Sequence, residues 1–166
     1  VLAKKQGFDV FVSDTSKVKD QYKKLLDDHG IAWEEGHHTE EKVLSADEVI
    51  KSPGIPKEAP MVAKLMEQGT HIISEIEFAG RYTDSKMICI TGSNGKTTTT
   101  QMLFHLLERR GADVGGNIGA PLAQMDEKAP IWILETSSFT IHYTKNAKPN
   151  IYLLLPITPD HVSWHG

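Results

Sequence analysis

One short segment of this chain, residues 91–98 with the sequence TGSNGKTT, carries residue types that suit phosphate chemistry. Its two glycines let backbone N–H groups turn towards phosphate oxygens, the Lys96 ammonium can neutralise the β- and γ-phosphates, and the Thr97 hydroxyl suits a Mg²⁺ ion. Because Ile90 stands where a full Walker A pattern has glycine, the segment is predicted to be a variant phosphate-binding loop for ATP. The residues expected to hold the nucleotide are Gly92, Ser93, Asn94, Gly95, Lys96, Thr97 and Thr98.

Two polar residues that could assist phosphate chemistry follow apolar runs further along the chain. Glu135 follows the run 131–134, where phosphate-loop enzymes hold Mg²⁺ with a carboxylate. An isolated strand-end glutamate would more often face solvent, but the hydroxyl residues 136–138 favour the metal interpretation. His161 comes after the run 151–155, and its chemistry suits an orienting or general-acid role, with a loop histidine bonded to a backbone carbonyl as an equal alternative. We expect Thr97, Glu135 and His161 to meet at one edge of a sheet.

Two other segments have weaker signals. The glycine-dense stretch 115–119 could bracket an anion with its backbone and the Asn117 amide, although such a turn is more often an ordinary loop. His37 and His38 lie in an acidic stretch without a cysteine partner or a helical His-x-x-x-His spacing. They are predicted to be solvated surface rather than a zinc site.

The elements that must position these residues alternate between strand and helix patterns, which predicts an α/β fold with parallel sheets. A helix after the phosphate loop is expected to bury one face carrying Met102, Leu103, Leu106 and Leu107. The apolar runs 131–134 and 151–155 are predicted to be central strands covered on both faces. Since a phosphate loop belongs on the first strand of its own sheet, we expect one domain over residues 1–84 and a second over 85–166.

Composition limits the function classes. The chain has 166 residues, of which 39% are hydrophobic and 24% charged, as expected for a soluble globular protein. A net charge of −4 argues against nucleic acid or an anionic membrane as the main partner. The single cysteine, Cys89, is expected to be a core residue, and no apolar run is long enough to span a membrane. A cytoplasmic location is expected, and the start on Val1 suggests a piece of a longer protein.

Four motifs, in the order in which they occur, closely resemble the Mur ligase family of peptidoglycan synthesis. They are TGSNGKTT at 91–98, GNIG at 116–119, ETSSF at 135–139 and ITPDH at 157–161. The Ser-Asn pair before Gly95 and the Ser-Ser-Phe after Glu135 favour the D-glutamate-adding branch over the other Mur ligases and folylpolyglutamate synthase. The resemblance spans the whole chain, including SPGI at 52–55 and EIEF at 75–78.

This resemblance implies a partial Rossmann-like UDP-binding domain over residues 1–84, followed by the front part of a phosphate-loop ATPase domain over 85–166. It implies a cytoplasmic enzyme that uses ATP and Mg²⁺ to join D-glutamate to UDP-N-acetylmuramoyl-L-alanine (UDP-MurNAc-L-Ala) through an acyl phosphate. The implied contacts are Asp14 and Thr15 with the uracil, Ser52 and Gly54 with the diphosphate, Asn117 and Ser137 with the muramoyl group, Lys96 and Thr97 with ATP, and Thr97, Glu135 and His161 with metal. Lys96, Glu135 and His161 would be the catalytic residues.

The chain departs from the family pattern at Thr136, Thr140, Pro156 and Ser163, where the family usually has leucine, glutamine, asparagine and aspartate. Pro156 removes a backbone donor and Ser163 removes a charge. These departures motivate an alternative from another class, a catalytically weakened nucleotide- or UDP-sugar-binding protein. Another Mur or folylpolyglutamate-type ligase is a further alternative. Because family segments before Val1 and after Gly166 are absent from the sequence, residues 1–166 alone are expected to be inactive.

Overall fold

A computed structural model describes residues 1–119 and 121–159 of the protein, and strands and helices alternate along them. The helices are α1 Leu2–Lys5, α2 Asp20–Asp28, α3 Glu40–Leu44, α4 Pro60–Gln68, α5 Glu75–Ala79, α6 Lys96–Leu107 and α7 Ser138–His142, with 3-10 turns at Glu108–Arg110 and Leu122–Gln124. The strands are β1 Phe11–Asp14, β2 Ala32–Glu35, β3 Glu48–Ile50, β4 His71–Ile73, β5 Lys86–Thr91, β6 Ala112–Gly116, β7 Ile131–Glu135 and β8 Ile151–Leu154.

The strands form three sheets. β1 pairs with β2, β3 pairs with β4, and the largest sheet has the order β6-β7-β5-β8. The pairing of β1 with β2 and every pairing in the four-stranded sheet is parallel. The predicted α/β class with parallel sheets is therefore confirmed. None of the helices in the described ranges has the length and apolar character that a membrane crossing needs.

Contacts between Cα atoms divide the chain into two compact units that interleave in sequence. The first unit contains Val1–Val49 and Lys57–His71, and the second contains Ile50–Pro56 and the described residues from Ile72 onwards. The domain boundary expected between residues 84 and 85 stays a prediction, because these interleaved units do not correspond to a single division point in the sequence.

The core of the second unit forms where β5 and β7 lie side by side in the sheet. Ile88 and Ile90 of β5 are buried with Ile133 of β7, and α6 covers this cluster. Cys89 is also fully buried in β5, as expected for a core residue, and burial raises the pKa of its thiol to about 12. Apolar strands buried in this way hold their carboxyl ends in fixed register, which positions the loops that follow them.

The buried face of α6 differs from the predicted one. Leu103 and Leu107 pack against the core together with Phe104, whereas Met102 is 63% exposed and Leu106 is 72% exposed. The fully buried Thr100 explains the difference: it lies three and four residues from Leu103 and Phe104, so these residues share one helical face. Met102 and Leu106 point away from that face, and their assignment to it was wrong.

The position of β8 also differs from expectation. Within the described residues β8 pairs only with β5, at one edge of the sheet. Its residues Ile151, Tyr152 and Leu154 are exposed. An unbroken apolar run predicted a central strand covered on both faces, but such a run does not specify how many strands flank it. β7, predicted by the same rule, is central and buried.

Candidate functional site

The predicted phosphate loop connects β5 to α6, and its shape depends on glycine. Gly92 has a φ of +134° and Gly95 has a φ of +86°, values that side-chain-bearing residues rarely adopt. A Cβ atom on Gly92 would lie 2.7 Å from Leu155 Cβ and 2.8 Å from the Leu155 carbonyl oxygen. Gly92 therefore lets the chain that leaves β8 pass directly against the loop.

The segment after β8 fixes the loop through Ser93. The Ser93 N–H donates to the Pro156 carbonyl oxygen at 3.2 Å. The Ser93 hydroxyl donates to the Thr158 carbonyl oxygen and accepts the Thr158 N–H, both at 2.8 Å. Pro156 lacks a backbone N–H, but the contact it makes here uses its carbonyl group, so the proline is compatible with this loop geometry.

Lys96 begins α6 and folds back over the loop. Its Nζ atom donates to the carbonyl oxygens of Gly92 at 2.6 Å and Ser93 at 3.1 Å. The first N–H groups of a helix have no partner within the helix, and the helix dipole favours an anion at this end. Thr97, in the first turn, is exposed. A positive charge, free N–H groups and a hydroxyl are therefore available at one helix start.

Glu135 is the last residue of β7 and lies between two other strand ends. It is in register with Ile90 of β5 on one side and Gly116 of β6 on the other. The residue is only 5% exposed, and its Oε2 atom is buried without a hydrogen-bond partner among the described residues. Burying an unpaired carboxylate oxygen costs free energy, so such an atom in a native fold calls for a ligand. A cation fits this donor.

The turn after β6 approaches Glu135 from the other side. Gly116 has a φ of +96°, and a Cβ atom there would lie 2.3 Å from the Glu135 carbonyl oxygen. The next residue, Asn117, donates its N–H to the same carbonyl oxygen at 2.9 Å, while its side chain is exposed. Asn117 therefore lies at the same sheet edge as Glu135 and the phosphate loop.

The hydroxyl residues after Glu135 have structural partners. Thr136 is fully buried, and both its N–H and its hydroxyl donate to the Ile90 carbonyl oxygen, at 2.8 and 3.0 Å. Ser137 caps α7 by accepting the Thr140 N–H at 3.1 Å, and its hydroxyl lies 2.9 Å from the Thr140 hydroxyl. Thr136 thus fixes the end of β7 to β5. His161, with Asp160, lies outside the described residues.

In the first unit, the predicted uracil contacts lie where β1 ends. Asp14 and Thr15 are exposed, and the Asp14 carboxylate accepts the Ser16 N–H at 2.7 Å, which fixes the turn. Asp14 is in register with Glu35 of β2, and the Glu35 carboxylate accepts a hydrogen bond from Lys23 Nζ at 2.8 Å. Two carboxyl ends of parallel strands therefore meet at this edge.

A partly buried polar network beside this edge was not predicted. The Glu34 carboxylate accepts hydrogen bonds from the Ser13 hydroxyl at 2.7 Å and from the N–H and hydroxyl of Thr39 at 2.7 and 2.5 Å. Burial raises the pKa of Glu34, but the hydrogen bonds from Thr39 and Ser13 outweigh it and lower the pKa to about 2. His38 Nδ1 lies 2.5 Å from the Ser13 hydroxyl. His37 is exposed, as predicted, whereas His38 is partly exposed and its ring contacts Ser13.

In the second unit, the loop expected to bind a diphosphate follows β3. Ser52 and Gly54 are exposed, but the preceding Lys51 is only 5% exposed. Its Nζ atom donates to the carbonyl oxygens of Ser52 at 3.0 Å and Ile55 at 2.5 Å. Sequence reasoning missed Lys51 because lysine is almost always a surface residue. Its position directly before a glycine- and proline-containing turn was the available signal.

Two family models match separate parts of the chain. Residues 1–61 match the family model of the MurD N-terminal domain, and residues 90–166 match that of the Mur ligase middle domain. Among solved structures, the ligase MPL from Neisseria meningitides, which acts on UDP-N-acetylmuramate and L-alanyl-gamma-D-glutamyl-meso-diaminopimelate, superposes with a TM-score of 0.60 over 99% of this chain and 57% of its own length. At 22% sequence identity, this likeness concerns the fold alone.

Curated relatives are much more similar in sequence. The UDP-N-acetylmuramoylalanine--D-glutamate ligase of Bacteroides fragilis is 61% identical over 166 residues, which is 98% of this chain and 37% of the relative. The proteins of the same name from Christiangramia forsetii and Cytophaga hutchinsonii are 49% and 46% identical, with the same coverage of both chains. The chain therefore spans 37% of the length of these curated relatives.

Proposed function

Because the chain belongs to the Mur ligase family, we propose that the protein containing it is an ATP-dependent ligase that adds D-glutamate to UDP-MurNAc-L-Ala. The curated relatives that support this proposal carry the name of that enzyme and are 46% to 61% identical to the chain. The observation that carries the proposal is the buried Oε2 of Glu135, which has no hydrogen-bond partner among the described residues and lies beside a phosphate-type loop. The enzyme would be cytoplasmic, and its substrates would be small molecules.

The proposed chemistry activates a carboxylate that is otherwise a poor electrophile. An oxygen of the terminal carboxylate of UDP-MurNAc-L-Ala attacks the γ-phosphorus of ATP, ADP leaves, and an acyl phosphate forms. The amine nitrogen of D-glutamate then attacks the acyl carbon, inorganic phosphate leaves, and the nitrogen loses a proton to give the amide. Catalysis of such a transfer depends on positioning and on neutralising phosphate charge.

The proposed role of each residue is compatible with its place in the fold. The Lys96 ammonium would exchange the loop carbonyl oxygens of Gly92 and Ser93 for phosphate oxygens, and the N–H groups at the start of α6 would bind the same anion. This requires only a side-chain rotation, because Lys96 is partly exposed and its partners are neutral. Asn117 and Ser137, at the same sheet edge, would contact the muramoyl substrate.

The described residues fit a Mg²⁺ ion at this edge. Glu135 supplies a buried carboxylate oxygen with no other partner among the described residues, and Thr97 supplies an exposed hydroxyl, both oxygen donors of the type that Mg²⁺ prefers. When bound, Mg²⁺ would neutralise charge on the phosphate oxygens. His161, proposed to help hold a second ion, completes the set of predicted metal ligands. Substrate phosphates and water would supply the remaining oxygen ligands, as they usually do for Mg²⁺.

The uridine diphosphate part of the substrate is assigned to other residues. Asp14 and Thr15, at the exposed end of β1, would contact the uracil, and Ser52 and Gly54 would contact the diphosphate. Exposed loops beyond the carboxyl ends of strands are where α/β proteins bind ligands, which supports this assignment for the turn after β1.

The proposal is tested by phosphate release from the full-length protein. We expect release only when ATP, Mg²⁺, UDP-MurNAc-L-Ala and D-glutamate are all present, together with amide product detected by mass spectrometry. Omission of each component, and replacement of D-glutamate by L-glutamate, L-alanine or meso-diaminopimelate, are the controls. Nucleotide and UDP-sugar binding without turnover would instead favour the weakened binding protein. Turnover with another amino acid would identify a different branch of the family.

A further inference from the structure

Lys51 is a buried cation, and the described residues provide no anion for it. The residue is 5% exposed, and its ammonium group is bonded to two neutral carbonyl oxygens and lies 4.5 Å from the centre of the Tyr143 ring. No ion pair of Lys51 is found within the described ranges 1–119 and 121–159. Burial lowers the pKa of the Lys51 ammonium, and no neighbouring charge contributes to the shift. A buried charge without a counter-charge is costly, and proteins keep one where it has a use.

The ammonium fixes the shape of the turn that follows it. Its acceptors, the carbonyl oxygens of Ser52 and Ile55, lie at the two ends of the segment 52–55, so one cation closes this turn. A backbone hydrogen bond from the Ile55 N–H to the Ser52 carbonyl oxygen, at 3.2 Å, closes the same segment. With both carbonyl groups occupied by donors, their negative ends are partly neutralised.

The base of the turn is anchored from the other direction. The Lys51 N–H donates to the Ile73 carbonyl oxygen at 3.1 Å, which extends the pairing of β3 with β4 by one residue. The buried Tyr143 ring holds the ammonium by a cation–π contact, and the same residue accepts the Ser74 N–H at 2.9 Å through its carbonyl oxygen. Main chain and side chain of Lys51 are therefore both fixed, so the turn is preorganised.

We propose that Lys51 is a positioning residue for the uridine diphosphate substrate: it holds the turn 52–55 in the shape that binds the diphosphate and supplies the positive charge that this dianion requires. The inference rests on the proposed function, in which Ser52 and Gly54 contact the diphosphate. A preformed turn saves the ordering cost on binding, and a fixed cation in a low-dielectric surrounding attracts an anion more strongly than a solvated one. Lys51 acts through the turn and does not touch the reacting atoms.

Lys51→Met in the full-length protein tests this inference, since methionine keeps the length and apolar stem but removes the charge. We expect the KM for UDP-MurNAc-L-Ala and the inhibition constant of UDP to rise about 10- to 100-fold, the effect of losing one charge-assisted interaction. The kcat, the KM for ATP and the inhibition constant of uridine, which has no phosphate, should change less than about threefold, because these do not depend on the turn.

The matched control is Lys57→Met, which removes the same charge from an exposed side chain six residues further along. An unchanged KM in Lys51→Met, an equal loss for UDP and uridine, or the same loss in Lys57→Met would overturn the inference. If Lys51→Met does not fold, Lys51→Gln, whose amide can still donate a hydrogen bond, is measured in the same way. Calorimetric titration with UDP needs no turnover, so it tests Lys51 even if the proposed ligase reaction fails.

Discussion

Glu77 is a buried carboxylate whose contribution to stability can be worked out from its contacts. The residue is 2% exposed, and its Oε2 atom accepts the backbone N–H groups of Lys145, Asn146 and Ala147 at 2.9, 2.8 and 2.9 Å. Hydrogen bonds to a charged group contribute about 1.5–3 kcal/mol each, and neutral ones about 0.5–1.5 kcal/mol. Glu77→Gln keeps one acceptor oxygen but removes the charge, a loss of about 1 kcal/mol per bond. We expect the free energy of unfolding to fall by about 3 kcal/mol over the three bonds.

The pH dependence of this loss identifies its cause. Burial raises the pKa of Glu77, but the hydrogen bonds from Ala147, Asn146 and Lys145 outweigh it and hold the pKa below the ordinary glutamate value. Because the folded-state pKa is lowered, the stabilisation is fully present above the unfolded-state pKa of about 4.3 and is lost as the pH falls through the folded-state pKa. The difference in the free energy of unfolding between the parent and Glu77→Gln should therefore become smaller below about pH 4.

Urea unfolding followed by circular dichroism, at about pH 7 and again near pH 3.5, measures the loss in the free energy of unfolding and its pH dependence. Glu127→Gln is the control, because Glu127 is exposed and its substitution should change the free energy of unfolding by less than about 0.5 kcal/mol. If the difference in the free energy of unfolding between the parent and Glu77→Gln were the same at both pH values, the stabilising role of the Glu77 charge would be refuted. A loss below about 1 kcal/mol at neutral pH would refute the contribution assigned to the three hydrogen bonds.

Three further substitutions in the full-length protein have expected outcomes. Lys96→Ala should lower kcat by about 10²–10³-fold with little change in the melting temperature. Lys128→Ala should leave both kcat and the melting temperature unchanged. If Lys96→Ala turned over near the parent rate, the phosphate-loop assignment would be excluded. Glu135→Gln should raise the Mg²⁺ concentration needed for half-maximal activity and leave calorimetric UDP binding intact. Gly116→Ala should lower the free energy of unfolding, measured by urea titration, by about 2–4 kcal/mol, because the added Cβ would clash with the Glu135 backbone and alanine would be strained at the positive φ of this position. Gly119→Ala should lose less, because a Cβ atom there would lie 3.3 Å from its nearest neighbour, the Val114 carbonyl oxygen.

The local patterns that sequence reasoning used were sufficient for most elements near the site. The apolar run 131–134 forms most of β7, Ile131–Glu135, as predicted, and the phosphate loop lies between a strand and a helix as its motif requires. Short apolar runs bounded by polar residues or glycine specify such strands locally. The run 151–155 was predicted to be a strand, and β8 is observed at Ile151–Leu154, one residue shorter at the boundary, where local signals are weakest.

The features that were missed depend on contacts between residues distant in sequence. The buried face of α6 is decided by the sheet it covers, and a run of four threonines gave no sign that Thr100 would be fully buried. Lys51 is buried because Tyr143, far along the chain, covers it, and Glu34 is fixed by Ser13 on a neighbouring strand. Thr100 and Lys51 belong to residue types that are usually exposed, and both are buried because elements distant in the sequence cover them. Glu34 is partly buried, and hydrogen bonds from Ser13 and Thr39 satisfy its carboxylate.

Glu77 and Glu135 have the same side chain and nearly the same burial, yet their surroundings assign them different roles. Glu77 has three N–H donors on one oxygen, whereas Oε2 of Glu135 has no partner among the described residues. Removing the charge from Glu77 takes away favourable bonds, while Glu135→Gln changes a side chain whose buried Oε2 makes no hydrogen bond among the described residues, so no favourable bond to this oxygen is lost. Without Mg²⁺, Glu135→Gln should therefore unfold at a temperature equal to or above that of the parent, and Glu77→Gln at a lower one. A clear fall in melting temperature for Glu135→Gln would mean that Glu135 stabilises the fold and is not held for a ligand.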